Sequence, residues 1–208
     1  MGITGALTVV AVLATAPPQP VRADARTAAG DLRSALIHLR AAVELLPRDL
    51  RTNRLASATS WLIRAYPNAR PEEITEPYAR SIQRAADLLS RDPSADVVDD
   101  VTSELEAKVE HCRRLGLGMG GTVMLKVNTR RGGDTVGDWE VLYLLKIYER
   151  VSGASPENFP TLSSPAEARV EPGRYWLWAR DPTTGRSSDR ALVKVAGQPE
   201  VRVDLPVP

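Results

Sequence analysis

Glu171-Pro172-Gly173-Arg174-Tyr175-Trp176-Leu177-Trp178-Ala179 is the stretch that decides the fold: a Pro-Gly turn leads the backbone into a strand that is aromatic on both faces. By the two-residue alternation of a strand, Tyr175, Leu177 and Ala179 point one way and Trp176 and Trp178 the other. Covering two indoles on the second face stabilises a fold or a complex by roughly 1.5–3 kcal/mol for each large apolar side chain. The face therefore calls for an occupant.

Working outward, a turn at Asp181-Pro-Thr-Thr-Gly185 follows. Alternating strands carry Val193 and Val195, then Val201, Val203 and Leu205. On the N-terminal side, Val123, Leu125 and Val127 alternate, Arg131-Gly-Gly-Asp134 marks a turn, and Trp139, Val141, Tyr143, Leu145 and Ile147 predict one long strand. Its other face is apolar in the middle, at Leu142 and Leu144, between Glu140 and Lys146. Trp176, Trp178, Leu142 and Leu144 are thus the candidate interface or ligand platform. Short strands separated by turn signals predict an antiparallel β-sandwich over 122–208.

Before the glycines at 116–121 the period is helical. One buried face runs through Leu32, Ala35, Leu36, Leu39, Ala42, Val43 and Leu46 and stops at Pro47. A second uses Leu55, Ala58, Leu62 and Tyr66, with Asp49 or Asn53 as cap. A third holds Ile74, Tyr78, Ile82, Ala85, Ala86 and Leu89, with Pro77 in its first turn. A fourth runs from about Ala95 through Val97, Val101, Leu105, Val109 and Cys112 to Arg113 and Arg114. This predicts an antiparallel four-helix bundle over 24–116, a glycine hinge at 117–121, and an α+β chain of two folding units.

The chemistry-bearing residues read as structural. His38 falls between Ile37 and Leu39 outside the buried set, which predicts a solvated side chain. His111 and Cys112 are adjacent on a helix and so diverge by about 100°, without the spacing that converges two ligands on a metal. Cys112 lies on the apolar stripe and reads as a small core residue. Gly116, Gly118, Gly120 and Gly121 follow a helix and precede a strand, the reverse of a phosphate-binding loop, and no Gly-Lys-Ser/Thr follows. No serine or cysteine nucleophile motif accompanies either histidine. The expectation is no catalytic, cofactor or metal residue, with a hydrolase built on distant carboxylates as the third reading.

Lys and Arg number 27 against 26 Asp and Glu, balanced in both halves, which predicts no nucleic-acid partner. A single cysteine excludes an intramolecular disulfide. Ile3 to Ala14 form an apolar run, and Val21-Arg22-Ala23 carries small residues at the positions a signal peptidase reads. The run is short of the roughly twenty residues that span a bilayer. Residues 1–23 thus read as a signal peptide or N-terminal anchor. Either places the remainder outside the cytoplasm, in the periplasm, at the cell surface or in the medium, with no other membrane span.

Gly121 and Val123 in an opening strand, Pro172, Gly173 and Tyr175 at a turn into a strand, Gly185 in the next turn, and Val203-Asp204-Leu205 ending the last strand together resemble the carboxypeptidase regulatory-like (transthyretin-like) β-sandwich. The resemblance covers about 120–208 and none of the helical half. The long second strand around Trp139 and the loop from Phe159 to Pro165 depart from it. It implies an accessory module of exported proteins without catalytic residues of its own. The resulting expectation is a non-catalytic binding or scaffolding protein with a protein or cell-envelope partner. The alternative is a carbohydrate-binding accessory protein that stacks sugar rings on Trp176 and Trp178.

Overall fold

A computed structural model describes residues 21–115, 121–150, 153–160 and 164–208. The chain is α+β: the described residues form four α-helices, then eight strands in two sheets. Helix α1 (Val21–Glu44) buries Leu32, Ala35, Leu36, Leu39 and Ala42 on one stripe. It begins three residues before the predicted boundary at 24, and the apolar run at 3–14 lies outside the described residues. Helix α2 (Leu50–Ala65) starts at Asp49, which accepts from the Thr52 backbone N–H at 2.8 Å while its own N–H donates to Thr52 Oγ1 at 2.9 Å. This reciprocal cap selects Asp49 over Asn53. Helix α3 (Glu76–Arg91) is capped by Thr75 with Pro77 in its first turn, where a missing N–H is harmless. Helix α4 (Ala95–Leu115) ends with Arg113 and Arg114 at its negative pole. The predicted hinge at 117–121 lies outside the described residues up to Gly121.

The first sheet centres on β1 (Val123–Arg131). The hairpin strand β2 (Asp134–Thr135) and β5 (Ala166–Val170) pair antiparallel along it, and β8 (Glu200–Pro206) runs parallel along its other edge, Leu125 opposite Val201 and Val127 opposite Val203. The parallel pair corrects the expectation of a wholly antiparallel arrangement: β8 returns to β1 in the same direction. The second sheet has the order β4-β3-β6-β7, from β4 (Glu157–Asn158), β3 (Glu140–Leu145), β6 (Gly173–Arg180) and β7 (Ala191–Val195), all antiparallel. The predicted strand from Trp139 to Ile147 is cut short because Lys146–Arg150 turns into a 3-10 helix, which still buries Ile147.

There are two cores. One is helical, around Leu39, Leu62, Tyr78, Ile82 and Leu105; the other is shared by the inner faces of both sheets, around Leu125, Val141, Tyr175, Leu177 and Leu205. Leu88 packs against both. Among the described residues no helix is long and apolar enough to cross a membrane.

Candidate functional site

The residues singled out from the sequence come together on the outer face of the second sheet. Register sets them in rows across it: Leu144 opposite Trp176 opposite Leu192, and Leu142 opposite Trp178. None of these five belongs to either core cluster. Leu142 and Trp178 are buried, whereas Leu144 and Trp176 are half-buried and Leu192 is 39% exposed. Arg190 lies over the Trp178 ring, 4.7 Å from its centroid, and the Trp176 indole N–H donates to Glu149 at 2.9 Å. Trp178 thus has its π-face occupied by a cation, and Trp176 has its polar edge satisfied.

The next row on this face is charged, with Arg174 opposite Lys194 and Lys146 at the end of β3. Helix α4 meets the sheets there. Asp100 pairs with Lys146, with Arg150 at 2.8 Å and with Arg174 at 3.9 Å, and Glu110 pairs with Lys194. Burial pushes Asp100 up, but the hydrogen bonds from Lys146 and Arg150 outweigh it and hold the carboxyl below its usual range. The contacts of the helical half on this face therefore run to its charged row.

Between that row and the helical core lies a buried ionic cluster that the sequence reading missed. Lys108 is fully buried, Glu104 is 1% exposed and Glu171 is 7% exposed. The Lys108 ammonium donates to Glu171 Oε2 at 2.8 Å and to the Pro172 carbonyl at 2.7 Å, and lies 3.0 Å from Glu104 Oε1. Ser81 donates to the same Glu171 oxygen at 2.7 Å, Glu104 Oε2 accepts the Arg174 N–H at 3.0 Å, and the Tyr78 ring sits 4.7 Å from the ammonium. Burial alone would lower the Lys108 pKa; Glu171 and Glu104 outweigh it and hold the ammonium above its ordinary value. Glu171 is pushed up by burial, against the pull of Lys108 and with the repulsion of Glu104. One cation thus serves two carboxylates.

A signal for this cluster existed: Glu104, Lys108 and His111 fall on a second stripe of a helix whose other stripe, Val101, Leu105, Val109 and Cys112, was read as the buried one. His111 is fully buried, and neither ring nitrogen has a hydrogen-bond partner among the described residues. Burial and the nearby Lys108 charge lower its pKa. His38 is exposed, as predicted, and its Nδ1 lies 3.2 Å from Gln83 Oε1. Cys112 is buried in the helical core. Among the described residues no group of three or more His, Cys, Asp or Glu side chains converges to hold a metal.

Comparison with models of protein families and with curated proteins returned no match.

Proposed function

We propose that the chain is an exported, non-catalytic binding or scaffolding protein. In this reading a four-helix bundle and a carboxypeptidase regulatory-like β-sandwich are locked together, and the outer face of the second sheet is presented to a protein partner of the cell envelope. The observation that carries the proposal is the row Leu144, Trp176 and Leu192, which lies outside both cores and is left partly open beside the ionic seam. An apolar patch rimmed by Glu149, Arg190 and Lys194 has the composition of a protein interface, an apolar centre with a charged rim. The carbohydrate reading draws less support, because Arg190 occupies the Trp178 ring that a sugar would stack on.

Export is supported by the apolar run at 3–14 and by what cleavage would leave. Every buried side chain described in α1, from Ala28 to Ala42, lies beyond residue 23 and would be kept. N-terminal analysis of protein from the exported fraction is expected to begin at Asp24. An intact Met1 in a cytoplasmic pool overturns export.

The interface is tested by placing a photo-crosslinking residue at Trp176, at Leu192, or at the exposed Arg202 of the other sheet, in the full chain in its own cells. One discrete protein adduct from 176 and 192, absent from 202, is the expected result. Equal adducts from all three positions, or none, overturn the reading.

A further inference from the structure

Where the second sheet meets the N-terminal end of α3, the two sheets part around a cavity of about 280 Å³. Its walls include the rings of Tyr143, Tyr148 and Tyr175, and Glu171 lines it from the side of the ionic cluster. Tyr175 is fixed by donating its hydroxyl to the Glu171 carbonyl at 2.9 Å, and Tyr143 by donating to Glu157 at 2.6 Å and by edge contacts with Phe159 and Tyr175 at centroid distances of 5.2 and 6.1 Å. The hydrogen bonds from Ser81 and Lys108 both end on Glu171 Oε2, which leaves Oε1 without a hydrogen bond among the described residues. The cluster of Lys108, Glu104 and Glu171 carries one positive charge against two carboxylates, an excess of negative charge in a buried place.

A cation against Glu171 Oε1 would balance that excess, and tyrosine faces attract cations, alkylammonium groups above all. At the rim stands Arg169, exposed, lining the same cavity and making no ion pair among the described residues. Residues 169 and 171 are two apart in the chain, so their backbones are at most about 7 Å apart. That spacing leaves room for a small molecule carrying opposite charges at its two ends. We propose that this cavity binds a small zwitterion of amino-acid size, its ammonium group held by Glu171 and the tyrosine rings and its carboxylate held by Arg169. Leu144 borders both this cavity and the Trp176 face, but the proposal is argued from Glu171, the tyrosines and Arg169 and does not depend on the reading of that face.

Calorimetric titration of the full chain with three probes of similar size tests it: glycine betaine, tetramethylammonium and isovalerate. Glycine betaine is expected to bind saturably, tetramethylammonium about tenfold more weakly, the weight of one charge-assisted hydrogen bond, and isovalerate not at all. Arg169→Gln should bring glycine betaine down to the level of tetramethylammonium, and Tyr148→Leu should weaken both. Neither substitution removes a hydrogen bond or ion pair of Lys108, Glu104 or Glu171 among the described residues, so an unchanged unfolding midpoint checks that the fold is intact. The proposal is overturned by the absence of saturable binding for glycine betaine, by isovalerate binding as well as glycine betaine does, or by glycine betaine affinity that Tyr148→Leu leaves unchanged.

Discussion

Lys108 is the side chain on which the two halves are closed, because its ammonium contacts Glu104 of its own helix and Glu171 and Pro172 of the sheet half. Replacing it with Met fills most of the space but leaves two carboxylates buried without a cation. The expected loss is about 3–5 kcal/mol, the usual consequence of removing one partner of a buried pair, read as a lower urea midpoint; a loss within experimental error would mean that water reaches the cluster. His111 makes the opposite kind of demand. It is buried without a hydrogen-bond partner among the described residues and its pKa lies below the ordinary 6.5, so below that pH the unfolded chain binds a proton that the folded one resists. Stability from this residue is therefore present above pH 6.5 and lost as pH falls towards the folded value. His111→Met should flatten the stability profile below pH 6.5, and an unchanged acid limb would assign it to other groups. Glu171 works with the reverse sign: its raised pKa makes the folded state bind more protons just above the ordinary 4.5, so its contribution declines as pH rises through that window.

At the scale of elements, Gly173 shows why the Pro-Gly turn organises so much. A Cβ built there would stand 2.6 Å from Glu104 Oε1 and 2.6 Å from Leu145 Cδ1. Glu104 cannot swing aside without leaving Lys108 and the Arg174 N–H. Gly173→Ala should cost about 1–3 kcal/mol by overpacking, measured as a lower melting temperature, whereas Gly133→Ala meets no neighbouring atom and is expected to show only the strain of its φ of +100°. A smaller effect at 173 than at 133 would show that α4 and β6 can slide apart. The helices were legible from the sequence because Pro47, Asp49, Pro77 and Asp92 punctuate apolar stripes of local period. The inward faces of β1 and β6 were legible for the same reason. The end of β3 was not: Lys146 and Tyr148 continue the alternation on paper, but Lys146 is drawn to Asp100 and the chain turns into a 3-10 helix at that point. The ionic cluster was hidden for a related reason. Glu104 and Lys108 read as a solvated i,i+4 pair on a helix surface, and only the arrival of Glu171, 63 residues beyond Lys108, buries them.

For the molecule as a whole, the seam and the apolar face answer different needs. The helical half meets the sheet half along a seam in which Asp100, Glu104 and Glu110 of α4 meet Lys146 and Arg150 of the 3-10 helix and Arg174 and Lys194 of the second sheet. The more open pair at its edge, Glu110 with Lys194, contributes little singly. The stabilising weight of the seam rests on the buried Lys108 cluster, on Leu88, which packs against both cores, and on α4, which buries Val101 and Leu105 on its helical side and Lys108 and His111 on the other. An α4 wetted on its sheet-facing stripe would expose Glu104 and Lys108 as solvated ions but leave Gly173 and Tyr175 at an open end of the second core. Loss of one half therefore destabilises the other, and the two should unfold together although their cores are distinct. In a Trp61→Phe background the remaining tryptophans, Trp139, Trp176 and Trp178, all report on the sheets, while far-ultraviolet circular dichroism is dominated by the helices. The two signals should give one midpoint in urea for the otherwise unaltered chain and separate midpoints for Lys108→Met. Separate midpoints without that substitution would show that the seam joins two independently stable units, and coincident midpoints with it would move the coupling from Lys108 to the apolar contacts of Leu88.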